Sequence, residues 1–249
     1  MRRFGLIGRK LGHSLSADFF NGLFAREGIC ARYDLFELRE FADIYALIES
    51  MPELEGLNVT IPYKRDAARA CSTLTAEAEG IGAVNVLSIR RCGGCVTLHG
   101  ANTDAPGFAA AVAPLAEGKE RALVLGTGGA SRAVCYALKS MGLNPQLVSR
   151  SHPEPNPYGV ITYQMVTEEV MAENLLIVNT TPLGMSPDVE SAPPIPYEML
   201  TPEHACFDLV YNPRVTEFMR RAAERGCRVS DGLQMLHNQA LLARDIWKI

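Results

Sequence analysis

Apolar positions along this chain recur at two spacings. Short continuous runs at 3–8, 33–38 and 56–60 predict strands, the last stopped by Pro62. Between them Phe19, Phe20, Leu23 and Phe24 share one helical face, as do Phe41, Ile44, Tyr45 and Ile48, which predicts helices over 17–26 and 41–48. Ser16 stands where an N-cap belongs and Gly28 where a helix stops. Runs at 83–89 and 95–99 flank Gly93-Gly94, the composition of a hairpin turn, and are expected to add antiparallel strands at the edge of a sheet with crossover helices.

The pattern restarts past Thr103. A helix is predicted over 106–114, a strand at 121–125, a glycine turn, a helix over 130–141 and a strand at 146–149, which together make a βαβ unit. Further strand-like runs at 160–163, 176–179, 205–209 and 227–229, with helices between several of them, extend this into a doubly wound arrangement, and a last helix is predicted over 232–247. The proline-rich stretches 153–157 and 193–196 read as surface loops.

Composition narrows the function. With 249 residues, 47% hydrophobic and 21% charged, the chain has enough apolar mass for a packed core, so disorder is excluded. Its 24 basic and 28 acidic side chains leave a net charge of −4, no electrostatic footprint for nucleic acid or an anionic membrane, and the expected partner is a small molecule. No stretch approaches the roughly 18 consecutive apolar residues of a spanning helix, and the apolar start at 4–8 is broken by glycine and met by Arg9-Lys10, so no export is expected. Seven scattered cysteines fit reduced thiols in a cytoplasm. Cys92 and Cys95 with His99 imitate a metal half-site, but no second pair completes it and no metal is expected. His13 beside Ser14 lacks the context of a Ser-His nucleophile.

Chemistry gathers at strand ends. Gly126, Gly128, Gly129 and Ala130 follow a predicted strand and open a helix, so their amides and the positive helix end suit a pyrophosphate, with a plain turn as the alternative. After the next strand an NAD site calls for a carboxylate; here stand Ser149, Arg150 and Ser151, which suit the 2′-phosphate of NADP unless Arg150 is simply a solvated surface residue. Ser14 and Ser16, between the first strand and first helix, suit a carboxylate, and Ser16 equally suits a cap. Lys64 falls in the first turn of a helix, where a cation opposes the helix dipole, and is a candidate proton donor or an ordinary exposed lysine. Asp104 opens a helix as a cap, as a carboxylate facing Lys64 across a substrate hydroxyl, or as both. Gln239 sits on the small apolar face of Leu236, Ala240 and Ala243 and needs a partner, either a ligand hydroxyl or a backbone group. Asn179 to Met185 follow a strand where a loop approaches the nicotinamide side of a Rossmann crevice, and Gly107, Gly184 and Gly232 allow hinge-like freedom.

Eight ordered segments, 5–21, 58–64, 82–85, 100–108, 126–130, 179–185, 208–218 and 231–239, together resemble the shikimate dehydrogenase family over nearly the whole chain. The resemblance implies NADPH-dependent reduction of 3-dehydroshikimate to shikimate by an α/β protein of two domains. One is an N-terminal α/β substrate domain with a mixed sheet, residues 1–102 plus 232–249; the other is a Rossmann-like doubly wound NADP-binding domain, residues 103–231. Lys64 and Asp104 match the catalytic pair, and Ser14, Ser16, Asn58, Thr60, Asn85 and Gln239 match groups that hold the substrate carboxylate and hydroxyls. Tyr211 and Gly232 match the junction of substrate and nicotinamide, and Thr180 and Met185 the cofactor loop. Lys10 and Ala17 stand where proline is usual, Thr127 where alanine is common, and Ser149-Arg150-Ser151 replaces Asn-Arg-Thr. A monomer or homodimer is expected. The alternatives are a quinate/shikimate dehydrogenase preferring NAD, which Arg150 disfavours, and a non-catalytic sensing relative, which Lys64 and Asp104 disfavour.

Overall fold

Strand β1 (Arg2–Gly8) lies between β2 (Ala31–Glu37) and β3 (Leu54–Val59), parallel to both, in a computed structural model that describes residues 1–12, 14–151 and 157–249. The continuous apolar character of β1 follows from that central place, because both faces of a strand covered by helices are dry. Helix α1 (Ser16–Glu27) buries Phe20, Leu23 and Phe24 and ends where Gly28, at φ 67°, donates its N–H to Phe24 O. Ser16 is the first helical residue and not the cap. Leu15 holds the cap position without a side-chain bond, and Ser14 Oγ accepts the Ser16 N–H at 3.2 Å. Helix α2 (Asp43–Ser50) buries Ile44 and Ile48, and α3 (Lys64–Ala70) follows the turn after β3.

The hairpin at Gly93-Gly94 forms as expected, from β5 (Val86–Cys92) and β6 (Cys95–Ala101), but it is not the edge of the sheet. A two-residue strand, β4 (Thr73–Leu74), pairs parallel to β6 outside it, and the order is β2-β1-β3-β5-β6-β4. Strand β4 and the short helix α4 (Ala76–Ile81) have too few residues to show a period. On β6 the His99 ring meets hydroxyls, Nδ1 with Thr73 Oγ1 at 2.7 Å and Nε2 with Thr97 Oγ1 at 3.1 Å.

The second sheet is parallel throughout. Helix α5 (Asp104–Ala116) leads to β7 (Arg121–Leu125), α6 (Gly129–Ser140), β8 (Asn144–Ser149), β9 (Val160–Thr162), α7 (Glu168–Glu173) and β10 (Leu176–Asn179). Then come β11 (Ala205–Asp208), α8 (Glu217–Glu224), β12 (Arg228–Ser230) and α9 (Leu233–Trp247). The order β12-β11-β10-β7-β8-β9 places the first strand of this unit beside its fourth, the switch point of a doubly wound sheet. The stretch 193–196 is a loop, but Ile195 is only 6% exposed and packs with Leu200 and Phe218, so it belongs to the core and not the surface. The stretch at 153–157 lies, but for Pro157, outside the described residues, as does His13.

Two compact units result, Met1–Thr103 with Gln239–Ile249 and Asp104–Asn238. The first half of α9 therefore clusters with the second unit. In the first unit Trp247 closes an aromatic cluster in which Phe20 stacks on Tyr33 at 4.4 Å, Phe4 lies 5.0 Å from Trp247, and Trp247 Nε1 donates to Leu87 O at 3.0 Å. A Cβ at Gly56 would fall 2.3 Å from Trp247 Nε1, so the strand carries glycine where the indole crosses it. Among the described residues no helix is long and apolar enough to cross a membrane.

Candidate active site

In the first unit three of the expected substrate groups are joined through Asn85. This residue is 2% exposed, and its Oδ1 accepts the Thr103 N–H at 2.7 Å while Nδ2 donates to Thr103 Oγ1 at 3.0 Å and to Gln239 Oε1 at 3.3 Å. Asn85 O accepts Asn58 Nδ2 at 3.2 Å, and Asn58 Oδ1 accepts the hydroxyl of Tyr33 at 2.7 Å. The amides of Asn58, Asn85 and Gln239 are thus oriented by the fold itself, on the C-terminal part of β3, the start of β5 and α9. The partner that Gln239 required is Asn85. Tyr33 went unread in the sequence because it alternates as an ordinary strand residue; burial pushes its hydroxyl well above the usual phenol range, so it stays a donor.

Lys64 is placed by its neighbours. Tyr63 is buried and donates its hydroxyl to Leu38 O at 2.7 Å, the Tyr63 N–H reaches Thr60 O at 3.0 Å, and Lys64 O accepts the Val84 N–H at 2.8 Å. Lys64 is half-buried as the first residue of α3. Thr60 is half-buried at the end of β3, its methyl 2.7 Å from where a Cβ of Gly8 would lie, and Ser14 and Ser16 are half-buried at the start of α1.

In the second unit the glycine turn has the form its sequence predicts. Gly126 takes φ 105°, with the place of a Cβ only 2.9 Å from Thr180 Oγ1, and α6 starts at Gly129 with no side chain capping it at Gly128. Open amides at that helix end, and a backbone with no Cβ in the way, are what a pyrophosphate needs. Thr180 donates its hydroxyl to Leu125 O at 2.7 Å, tying the loop after β10 to the turn after β7. Ser149 is buried and accepts the Ser151 N–H at 3.4 Å, while Arg150 is exposed and lies near enough to Tyr163 to hold that hydroxyl down against the upward push of burial. These groups fit a dinucleotide with a 2′-phosphate. Asp104 is 7% exposed as the first residue of α5, in a different compact unit from Lys64.

Gly107 is buried inside α5, and its carbonyl accepts Asn238 Nδ2 at 3.2 Å, which is no place for a hinge. Gly232 is needed for closeness and not for freedom: a Cβ there would lie 2.1 Å from Leu209 O. Tyr211 is half-buried and Met185 exposed, both on the loops that leave the C-terminal ends of this sheet.

A family profile described as the shikimate dehydrogenase substrate binding domain matches residues 6–87. The shikimate dehydrogenase (NADP(+)) of Clostridium beijerinckii is 36% identical over 258 residues, spanning 100% of this chain and 92% of that protein. The chain belongs to the shikimate dehydrogenase family. Solved members share its fold: the Thermus thermophilus shikimate 5-dehydrogenase, crystallised with NADP(H) and shikimate, superposes with a TM-score of 0.84 at 35% identity, covering 99% of this chain and 93% of the other. The quinate dehydrogenase of Corynebacterium glutamicum, crystallised with NAD, gives 0.86 at 25% identity, covering 99% and 93%.

This shikimate dehydrogenase relative also holds a buried knot that sequence reading passed over. Asn179 and Asp208, the last residues of β10 and β11, are both 0% exposed, and Asn179 Nδ2 donates to Asp208 Oδ1 at 2.9 Å. Burial pushes the Asp208 carboxyl up to about 6 against the downward pull of Thr216, the Val210 N–H and Asn179, with the like charge of Asp231 adding to the rise. The sequence signal was present as a polar residue closing each apolar strand.

Proposed function

We propose that this chain is a cytoplasmic NADP-dependent shikimate dehydrogenase that interconverts 3-dehydroshikimate and shikimate, acting as a monomer or homodimer on small molecules alone. The observation that carries the proposal is the pre-oriented amide cluster of Asn58, Asn85 and Gln239 in the unit that matches a substrate binding domain. We assign residues 1–102 plus 232–249 to substrate binding and 103–231 to NADP. Gly126, Gly128, Gly129 and Ala130 hold the pyrophosphate, Ser149, Arg150 and Ser151 the 2′-phosphate, and Thr180, Met185 and Gly232 the nicotinamide end.

When bound, NADPH supplies the hydride for the ring ketone. Lys64 polarises that carbonyl and delivers a proton to the oxygen that becomes the alcohol, and in the reverse direction takes it back. Asp104 accepts a hydrogen bond from a ring hydroxyl. Ser14 and Ser16 donate to the substrate carboxylate, and Asn58, Thr60, Asn85, Tyr211 and Gln239 hold its hydroxyls and ring. A quinate/shikimate dehydrogenase preferring NAD is the second reading, which Arg150 disfavours and the likeness to the quinate dehydrogenase crystallised with NAD favours.

Initial rates with shikimate or quinate, each paired with NADP or NAD, decide between them. Shikimate with NADP is expected to be fastest. A maximum with quinate and NAD establishes the second reading, and tight shikimate binding with no turnover in any pairing overturns both.

A further inference from the structure

We propose that Asp208 is a positioning residue for the nicotinamide end of the cofactor, acting through the two loops that its carboxylate ties together; this rests on the function proposed above. Asn179 and Asp208 are register partners at the ends of adjacent parallel strands. Asp208 Oδ1 accepts Asn179 Nδ2 at 2.9 Å and the Val210 N–H at 3.0 Å, and Oδ2 accepts the Thr216 hydroxyl at 2.6 Å. Asn179 Oδ1 in turn accepts the N–H of Thr181 at 3.0 Å and its hydroxyl at 2.7 Å. One carboxylate therefore sets the exit of the chain from β10, its exit from β11 and the N-cap of α8, where Thr216 Oγ1 accepts the Met219 N–H at 3.3 Å.

The loops so tied carry Thr180, Met185 and Tyr211. They leave the carboxyl ends of the strands beside the switch point, where a doubly wound sheet binds its ligand. The two loops are also laced to each other, by the Ser186 N–H on Asn212 O at 3.2 Å, and to the glycine turn, by Thr180 on Leu125 O. A shift at Asp208 is thus passed to both the turn and the nicotinamide-facing residues. The three groups aimed at Asp208 donate to it, two N–H groups to Oδ1 and the Thr216 hydroxyl to Oδ2, and a carboxylate accepts from all three at once. An amide in its place puts a donor where Oδ2 was, so the Thr216 hydroxyl must turn from donating to accepting, and all three bonds lose their charge assistance. A carboxylate kept at 0% exposure, where burial opposes its charge, is a costly way to fasten a core that apolar residues would fill.

The test is Asp208→Asn, with Thr216→Val removing one donor and Thr216→Ser restoring it. NADPH binding is followed by cofactor fluorescence, without substrate, and the primary deuterium isotope effect on turnover is measured with NADPD. For Asp208→Asn we expect NADPH affinity weaker by at least about tenfold and an enlarged isotope effect, since a misplaced hydride donor makes transfer rate-limiting. Thr216→Val moves both readouts the same way by less, and Thr216→Ser returns them toward the parent. Should Asp208→Asn not fold, the Thr216 pair carries the test. Variants that lower Tm while leaving NADPH affinity and the isotope effect of the folded enzyme unchanged reduce Asp208 to a structural fastening and overturn the proposal. A parent protein that binds NADPH without oxidising shikimate overturns the function instead, and the binding comparison still judges Asp208.

Discussion

Asn58 and Asn85 are 6% and 2% exposed, with protein partners on both ends of each amide, whereas Arg150 stands exposed beyond β8 with a serine turn beside it. Under the proposed function the two regions would recognise their ligands by different physics. The buried amides are oriented before a ligand arrives, so little side-chain freedom is lost on binding, and shape discrimination comes from groups that cannot turn away. The exposed guanidinium would contribute charge, which attracts a phosphate strongly but is screened by salt. Damage to the first region should therefore reach folding and substrate together, and damage to the second should reach one cofactor alone.

Lys64→Ala makes the largest break in that comparison, because Lys64 is half-buried in the same unit as the amides yet is assigned to the chemistry. Turnover is expected to fall by about 10² to 10⁴ with NADPH affinity retained, as measured by steady-state rates and cofactor fluorescence. Near-parental turnover removes Lys64 from the mechanism. Asn85→Ala comes next. It strands the Thr103 N–H and the side chain of Gln239 while leaving the backbone carbonyl that holds Asn58, and urea unfolding is expected to show a loss of about 2–3 kcal/mol together with a shikimate KM raised about tenfold. A raised KM with unchanged stability would mean that the cluster is not pre-organised by the fold. Arg150→Ala is the smallest and the most selective: the NADP KM should rise about tenfold, the NAD KM should stay level, and stability should not change. Equal losses for both cofactors would place Arg150 elsewhere than at the 2′-phosphate.

Much of the second unit was legible because its physics is local. Strands at Arg121–Leu125 and Leu176–Asn179 are apolar runs with sharp polar ends, and the glycine turn between β7 and α6 declares itself through residues that a Cβ would spoil. The short β4 was not legible, since two residues carry no period, and it changed the hairpin from an edge to an interior pair. Ile195 was misread for a related reason: prolines on either side signal a loop, but only the packed structure shows that the loop turns its isoleucine into the core. Gly232 looked like a hinge because sequence cannot distinguish a glycine kept for motion from one kept for a carbonyl 2.1 Å from its missing Cβ.

The chain's own pattern determined the element types, the doubly wound second half, the glycine turn and the family, because each is written in neighbouring residues through periodicity, turn chemistry and helix-end electrostatics. Tertiary structure alone decided that Asn85 is the partner of Gln239, 154 positions away, that Tyr33 holds Asn58, and that Asp208 binds the exits of two strands at once. These are hydrogen bonds between groups brought together by the burial of distant apolar faces, and a buried polar atom takes the partner that packing presents to it.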